Sequence, residues 1–306
     1  MTSILSIFRR RHLFAAALTA AFLAAAGAAE TPPARRVVSL SPALTETICQ
    51  LGAEASLVGR CTACDVPERI KKLPAAGALG RPHEEILLSL RPDAVVSDID
   101  HPRSEWELLR KRGITVRRYP AKRLADYPET VRDLGRLLGR ESAAETEIRR
   151  FNDEIATLRR TMPEKKARVL LLLGANPLVT CGKETFLGEL LSLAGGENVA
   201  ADVSPREYFT ISAETIVQMR PDVIVVLGMN SAEKLISGLP GLEELPAVRE
   251  GRIVADLDAN LLYRLGPRTP EGVRTLRKRL FDLKKPGSGV SLQRSTPGNK
   301  QGTPTR

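Results

Sequence analysis

One segment of this chain occurs twice, 129 positions apart. The stretch from Glu85 to Val96 reads EILLSLRPDAVV, and the stretch from Glu214 to Val226 reads ETIVQMRPDVIVV. Each copy has an acidic residue, apolar residues at helical spacing, the sequence Arg-Pro-Asp and an apolar run. Because proline cannot continue a helix and disfavours the α conformation of the residue before it, each copy predicts a short helix followed by a buried strand.

A weaker repeat agrees with this interpretation. The run from Arg36 to Leu40 precedes a helical pattern that ends Leu-Gly-Ala, and the run from Arg168 to Leu172 precedes one that ends Ala-Gly-Gly. The sequence therefore predicts two similar α/β lobes. A cleft between two such lobes is a common place for a small-molecule site.

Strands and helices alternate through the rest of the sequence. Apolar strands are predicted at Val37–Leu40, Ala94–Ser97, Val169–Leu173 and Val223–Leu227. Helical patterns are predicted at Leu44–Leu51, Arg103–Arg112, Phe186–Leu193 and Glu214–Met219. This alternation predicts βα units and mainly parallel sheets.

A long charged segment, from Glu141 to Met162, separates the two lobes. Its apolar residues step by three and four, at Ile148, Phe151, Ile155, Leu158 and Met162. It contains no glycine or proline before Pro163, so it predicts one continuous amphipathic helix. The predicted fold class is α/β: two similar lobes with mainly parallel sheets, joined by one long rigid interdomain helix.

The two ends of the chain have compositions of their own. Arg9, Arg10 and Arg11 precede an uncharged run from Leu13 to Ala26 and small residues that offer cleavage after Ala28 or Ala29, which is typical of a secretory signal peptide. A retained membrane anchor is the alternative. The predicted domains are a signal peptide (1–29), an N-terminal α/β lobe (30–140), the connecting helix (141–163), a C-terminal α/β lobe (164–284) and a disordered tail (285–306).

The net charge of +10 comes mainly from the ends of the chain. Seven basic residues lie in the signal peptide and the tail, which leaves +3 for residues 30–284. No compact basic motif with interleaved aromatic residues is present, so the high isoelectric point does not indicate a nucleic-acid partner.

Cys61 and Cys64 form a CxxC pair in a loop, and Cys181 is expected on a loop that faces it across the cleft. Cys49 lies in the first helix at core spacing. In an oxidising compartment, the sequence favours a Cys61–Cys64 disulfide. The alternatives are a metal site formed by Cys61, Cys64 and Cys181, and a periplasmic thiol oxidoreductase or metal-binding protein that uses Cys61 and Cys64.

The sequence favours binding over catalysis. His83 and His101 are the only histidines after the signal peptide, and neither lies in a hydrolase or zinc-protease motif. No nucleophile is matched with a base. We therefore expect a protein that is not an enzyme and holds no cofactor of its own.

Motifs throughout residues 36–284 resemble the periplasmic substrate-binding proteins of iron-siderophore, haem and cobalamin ABC importers, and the cobalamin-binding proteins most of all. The matching residues are Arg36 to Ala43 with Thr45 and Glu46, Leu57 to Gly59, Cys64 to Pro67, Glu85 to Asp93, Gly182 to Thr185, Gly195 to Asn198, Glu214 to Asp222 and Gly266 to Arg268. The resemblance implies a periplasmic monomer that binds a metal chelate in a cleft between its lobes.

By position, the resemblance also implies which residues line the cleft. They are Ser41, Pro42, Ala63, Cys64, Asp65, Leu79, Gly80, Arg81, Asn176, Thr180, Cys181, Gly182, Tyr208, Phe209, Tyr263 and Arg264. The chain departs from the cobalamin-binding pattern because Ala63, Leu79 and Asp98 stand where aromatic side chains hold the corrin. Tyr208 keeps its ring.

The resemblance gives the repeated glutamates a role as well. In this family, one glutamate on each lobe docks onto arginines of the dimeric ABC permease, and the matching residues here are Glu85 and Glu214. The alternative is that each glutamate only stabilises the positive end of its helix, which is worth about 0.3–1 kcal/mol.

Overall fold

The structure is a computed structural model that describes residues 32–79, 81–99, 103–228, 236 and 238–282. The predicted signal peptide, the predicted tail and Gly80 lie outside these described residues. Within them, no helix has both the length and the apolar character needed to cross a membrane.

The first lobe is built around a four-stranded parallel sheet with the order β2-β1-β5-β6. Its strands, together with a small antiparallel pair formed by β3 and β4, are β1 (Val37–Ser39), β2 (Leu57–Arg60), β3 (Gly77–Ala78), β4 (Arg81–Pro82), β5 (Ala94–Ser97) and β6 (Thr115–Arg118). Its helices are α1 (Pro42–Gln50), α2 (Glu84–Ser89), α3 (Arg103–Lys111) and α4 (Asp126–Leu138).

The second lobe repeats this plan after a connecting helix, α5 (Glu141–Arg160). A four-stranded parallel sheet has the order β10-β7-β12-β13, and an antiparallel sheet has the order β11-β9-β8. The strands are β7 (Ala167–Leu172), β8 (Gly174–Ala175), β9 (Leu178–Cys181), β10 (Gly196–Asn198), β11 (Tyr208–Thr210), β12 (Val223–Val226) and β13 (Ile253–Val254). The helices are α6 (Phe186–Leu193), α7 (Ala213–Met219), α8 (Pro246–Arg249), α9 (Asn260–Tyr263) and α10 (Thr269–Asp282).

The repeated segment has the predicted structure in both lobes. Helix α2 precedes strand β5, helix α7 precedes strand β12, and both strands are fully buried. The residue before the proline has left the right-handed α region in each copy, with φ of 46° at Arg91 and 48° at Arg220. The proline that follows therefore ends each helix where the sequence predicts.

The aspartate of each repeat holds the first strand of its sheet. Asp93 Oδ2 accepts hydrogen bonds from the backbone N–H groups of Arg35 and Arg36, both at 2.9 Å. Asp222 Oδ2 accepts from the N–H of Arg168 at 3.3 Å. The guanidinium groups of Arg36 and Arg168 also donate to a backbone carbonyl at the end of α2 and of α7, respectively. The two lobes thus share side-chain contacts as well as topology.

Helix α5 packs against α4 and against α10. Its buried stripe includes Phe151, whose ring centroid lies 4.5 Å from that of Tyr127. The predicted helix extended to Met162, but the structure ends it at Arg160 and leaves Met162 38% exposed. One apolar cluster includes residues of both lobes and of α5, so the core is continuous across the connection.

Candidate ligand-binding cleft

The loops after β1, β2 and β5 meet at the carboxyl edge of the first sheet. Ser41 begins α1 there, and its hydroxyl accepts a hydrogen bond from the N–H of Leu44 at 3.3 Å. The same hydroxyl donates to Asp98 Oδ2 at 2.6 Å. Ser41 and Pro42 are buried, so this edge holds them as parts of the helix cap and leaves them no exposed surface for a ligand.

Cys61 and Cys64 lie in the loop after β2, and both are buried. They are free thiols with sulfur atoms 2.9 Å apart, so the predicted disulfide is not formed in the structure although the two sulfurs are in contact. The hydroxyl of Thr45 donates to Cys64 Sγ at 3.1 Å. The hydrogen bond with Cys64 lowers the pKa of Cys61, whereas the hydrogen bond with Cys61 and burial raise the pKa of Cys64.

Cys181 ends β9 and is also fully buried. Burial raises the pKa of its thiol to about 11, which keeps it protonated at neutral pH. Among the described residues, no group of three or more His, Cys, Asp or Glu side chains is placed to hold a metal ion. The metal site suggested for Cys61, Cys64 and Cys181 is therefore not assembled.

Two tyrosines of the second lobe expose their rings, and we call them the tyrosine pair. Tyr208 on β11 is 48% exposed and lies opposite Cys181 in the β9–β11 register. Tyr263 ends α9, is 43% exposed and donates its hydroxyl to the carbonyl of Leu227 at 3.3 Å. Partial burial is the main cause that raises the pKa of Tyr208 to about 12, and nearby Cys181, Glu207 and Tyr263 contribute less. The phenol of Tyr208 is therefore neutral at physiological pH.

Arg264 follows Tyr263 directly, but protein groups of both lobes occupy its guanidinium. Nη1 donates to Glu46 Oε1 at 2.8 Å and to Asp65 Oδ1 at 2.7 Å. Nη2 donates to the carbonyl of Ala63 at 3.3 Å and to Asn260 Oδ1 at 3.0 Å. The side chain is only 11% exposed. The predicted ligand contact at Arg264 is thus a connection between the lobes in this structure.

Glu46 and Arg268 complete this connection, and the sequence interpretation gave neither a role in the site. Arg268 donates from Nε to Glu46 Oε2 at 2.7 Å and from Nη2 to Oε1 at 3.0 Å. We call Glu46, Asp65, Arg264 and Arg268 the interlobe clamp. One signal was available: Glu46 is the only charged residue of α1, a helix that is otherwise almost entirely buried, and a buried carboxylate requires a partner.

The contact between Asp65 and Arg264 shifts the pKa of both side chains. Burial opposes ionisation of Asp65, but the hydrogen bond and charge of Arg264 hold the pKa of Asp65 below its ordinary value. Burial likewise opposes the charge on Arg264, and the carboxylates of Asp65 and Glu46 raise the pKa of its guanidinium above the usual value. The pKa shifts of Asp65 and Arg264 therefore both favour the charged forms of this pair.

The remaining predicted cleft residues divide by exposure. Leu79, Arg81 and Asn176 are exposed, and Ala63 and Asp65 are partly buried. Thr180, Gly182 and Phe209 are buried, and the hydroxyl of Thr180 has no hydrogen-bond partner among the described residues. Among the described members of the predicted set, the exposed and partly buried ones, which include the tyrosine pair, are those with surface accessible to a ligand.

Glu85 and Glu214 occupy equivalent positions on the two lobes. Each is exposed and lies in the first turn of its helix, α2 or α7. The neighbouring Glu84 lies 3.8 Å from Arg112. Within the described part of the chain, neither the Glu85 nor the Glu214 side chain forms a hydrogen bond or an ion pair, and both carboxylates are exposed to solvent.

Two α/β lobes joined by a helix, with exposed tyrosines beside an interlobe clamp, define a bilobal ligand-binding protein. The chain belongs to the periplasmic binding protein family, whose model matches residues 37–260. It is a substrate-binding protein of the ABC importer class that serves cobalamin, haem and siderophore uptake.

Relatives and solved structures agree with this family. The chain is 27% identical to an uncharacterised ABC transporter substrate-binding lipoprotein, YvrC of Bacillus subtilis, over 81% of this chain and 80% of the relative. It is 30% identical to a vitamin B12-binding protein of Pectobacterium carotovorum over 66% of this chain and 74% of the relative. The periplasmic haem-binding protein RhuT of Roseiflexus superposes with a TM-score of 0.74 at 30% identity, covering 82% of this chain and 99% of RhuT.

Proposed function

We propose that the protein captures a metal chelate, either a cobalamin, a haem or a ferric siderophore, between its lobes and delivers it to an ABC permease in the inner membrane. The tyrosine pair is the observation that carries this proposal. Two half-exposed rings on one lobe offer apolar surface for stacking, and aromatic residues are otherwise few in this chain.

The first lobe limits which chelates fit. Ala63, Leu79 and Asp98 provide little stacking area at the three positions where the cobalamin-binding pattern has aromatic rings. Three rings of roughly 150–250 Å² each, at about 25 cal/mol per Å², amount to several kcal/mol of lost contact. The chelate therefore contacts Tyr208 and Tyr263 on the second lobe more extensively than it contacts the first lobe.

The thiol oxidoreductase alternative is disfavoured by burial. Such enzymes attack with an accessible thiolate, commonly at the start of a helix. Cys61 and Cys64 lie in a loop and have almost no exposed surface. We propose binding without catalysis, with the chelate as cargo and no resident cofactor.

Absorbance titration and calorimetry with cyanocobalamin, haemin and ferrichrome test the proposal. We expect saturable binding of one of these probes to the exported protein with a stoichiometry of one. Cyanocobalamin is the first probe because one relative is a vitamin B12-binding protein. Haemin is the second because RhuT is a haem-binding protein. Absence of binding to all three at micromolar concentrations would contradict it.

Substitution of the tyrosine pair tests where the chelate binds. We expect Tyr208→Ala and Tyr263→Ala each to weaken binding about tenfold, because each removes an aromatic contact worth roughly 1–2 kcal/mol. Tyr208→Phe keeps the ring and should retain the affinity. Met162→Ala is the control, since it removes an exposed apolar side chain at the end of the connecting helix. Equal losses in the control and in the tyrosine variants would place the chelate elsewhere.

Delivery completes the proposed function. The chain is exported, its signal peptide is cleaved after Ala28 or Ala29, and the protein acts in the periplasm as a monomer. Glu85 and Glu214 dock onto arginines of the two permease subunits, one from each lobe. Charge-assisted bonds between carboxylate and arginine are strong and directional, so such a pair orients the cleft above the translocation path.

A further inference from the structure

Glu46 has an unusual environment for a carboxylate. Its side chain is 4% exposed and lies in α1, where Pro42 to Ile48 are all buried. Among the described residues, its hydrogen-bond partners are two arginines of the other lobe, Arg264 and Arg268, in the loop between α9 and α10. The ion pair therefore connects α1 with the loop between α9 and α10.

The loop that carries these arginines is held from several other directions. Arg150 of the connecting helix donates to the carbonyl of Pro267 at 2.9 Å. The hydroxyl of Thr269 accepts from the N–H of Gly266 at 3.0 Å. These bonds keep the loop fixed with respect to α5 and α10, and the bonds to Glu46 fix it with respect to the first lobe.

The same contacts reach both sides of the cleft. Arg264 is adjacent to Tyr263, one of the tyrosine pair. It also binds the carboxylate of Asp65 and the carbonyl of Ala63, in the cysteine loop of the first lobe. Glu46 thus binds Arg264, which connects Tyr263 on the second lobe with the cysteine loop on the first lobe.

We propose that Glu46 is a positioning residue for chelate binding. It orients Arg264, and Arg264 in turn fixes the distance between Tyr263 and the loop of Ala63 and Asp65. Glu46 does not touch the chelate. This inference rests on the proposed function, since it concerns the same cleft, but its structural part holds for the protein without ligand.

Hydrogen exchange of the unliganded protein and titration with cyanocobalamin, haemin and ferrichrome test the proposal together. In Glu46→Gln, Arg264 loses its buried counter-ion. We expect faster exchange in residues 61–65 and 260–266 and about tenfold weaker binding of the chelate that the wild type binds. Glu54→Gln is the matched control because Glu54 pairs with Arg69 inside the first lobe, and it should change neither measurement.

Arg268→Gln gives a second route. If Glu46→Gln does not fold, Arg268→Gln is compared with the Glu54→Gln control, and unchanged exchange in residues 260–266 then contradicts the positioning role. Arg268→Gln removes one partner of Glu46 and leaves the bond between Glu46 and Arg264 in place. We expect a smaller change than in Glu46→Gln, and a double variant whose effect is less than the sum of the two, because the residues act as a unit. Additive effects would contradict the positioning role.

The outcomes separate this inference from the proposed function. If the wild type binds none of the three probes, the proposed function is wrong. The hydrogen-exchange rates of residues 61–65 and 260–266 still test whether the clamp fixes the two loops. If both loops exchange as in the wild type in Glu46→Gln, the clamp does not position them. If the loops loosen while affinity stays unchanged, Glu46 has only a structural role and the inference is wrong.

Discussion

At the scale of single residues, the buried thiols show how a loop can carry reactive groups without exposing them. Cys61 and Cys64 are in contact with each other, and Thr45 donates to Cys64. Their burial protects them from substrates, while their mutual contact permits oxidation to the disulfide that the sequence favours in an oxidising compartment. We therefore expect the pair to contribute to the stability of the loop.

The double variant Cys61→Ser/Cys64→Ser tests this role. We expect a loss of about 1–3 kcal/mol in the free energy of unfolding, because two hydroxyls replace thiols in a buried site. Chelate affinity should stay near the wild-type value, and the wild type should not reduce insulin with a thiol donor. Urea denaturation, thiol counting and the insulin assay provide the measurements.

Cys49→Ser is the matched control for this variant, because Cys49 is only partly buried and lies outside the pair. It should lose less stability than the double variant. Loss of chelate binding by a folded double variant would show that the cysteines take part in binding the chelate. Insulin reduction by the wild type would support the oxidoreductase alternative.

The resemblance to the chelate-binding family, and not hydrophobic periodicity, led to the prediction that Ala63 to Asp65 and Tyr208 line the cleft. Periodicity predicted the long buried strands but not β11, the three-residue strand that carries Tyr208. It could not reveal that Arg264 turns to Glu46, 218 positions away. Such a contact depends on the relative placement of two lobes, which no local pattern encodes.

At the scale of elements, the repeat was the most informative part of the sequence. Both copies form the predicted helix and strand because proline and the apolar run act locally and leave few alternatives. The end of α5 was less predictable. Met162 continues the spacing of the apolar stripe, but the helix stops two residues earlier, before Pro163. Helix ends depend on capping and on the neighbouring residues more than on periodicity.

The packing of α10 against α9 gives a prediction at this scale. A methyl group at Gly272 would lie 2.4 Å from the carbonyl oxygen of Leu261, which is backbone and cannot move without shifting α9. Gly272→Ala should therefore cost about 1–3 kcal/mol of stability. Because α9 ends at Tyr263, it should also weaken chelate binding. Thermal denaturation and titration measure the two effects.

Gly135→Ala provides a control of the same kind in another place. Its added methyl would lie 2.6 Å from Cβ of Ala144, at the contact between α4 and α5. It should destabilise the protein and leave the affinity of the folded fraction unchanged. If Gly272→Ala behaves in the same way, the position of α9 does not govern binding.

At the scale of the whole molecule, several contacts oppose relative movement of the lobes. The core is continuous through α5, and the clamp joins the lobes at the cleft. A further bond runs from the N–H of Leu124 to Glu189 Oε2 at 2.7 Å. We infer that closure on the ligand is small, so a permease would recognise the bound protein mainly through fixed surface groups.

Glu85 and Glu214 are the fixed groups that the repeat provides. We expect Glu85→Ala/Glu214→Ala to lower chelate uptake by cells or by permease-containing vesicles while the isolated protein binds its chelate as the wild type does, because both carboxylates are exposed. Docking steered by charge also weakens as ionic strength rises, so the difference between wild type and variant should shrink in high salt. Unchanged uptake would contradict the docking role and would leave stabilisation of the helix start as the role of both glutamates. Glu68→Ala, another exposed carboxylate, is the control that should leave uptake unchanged.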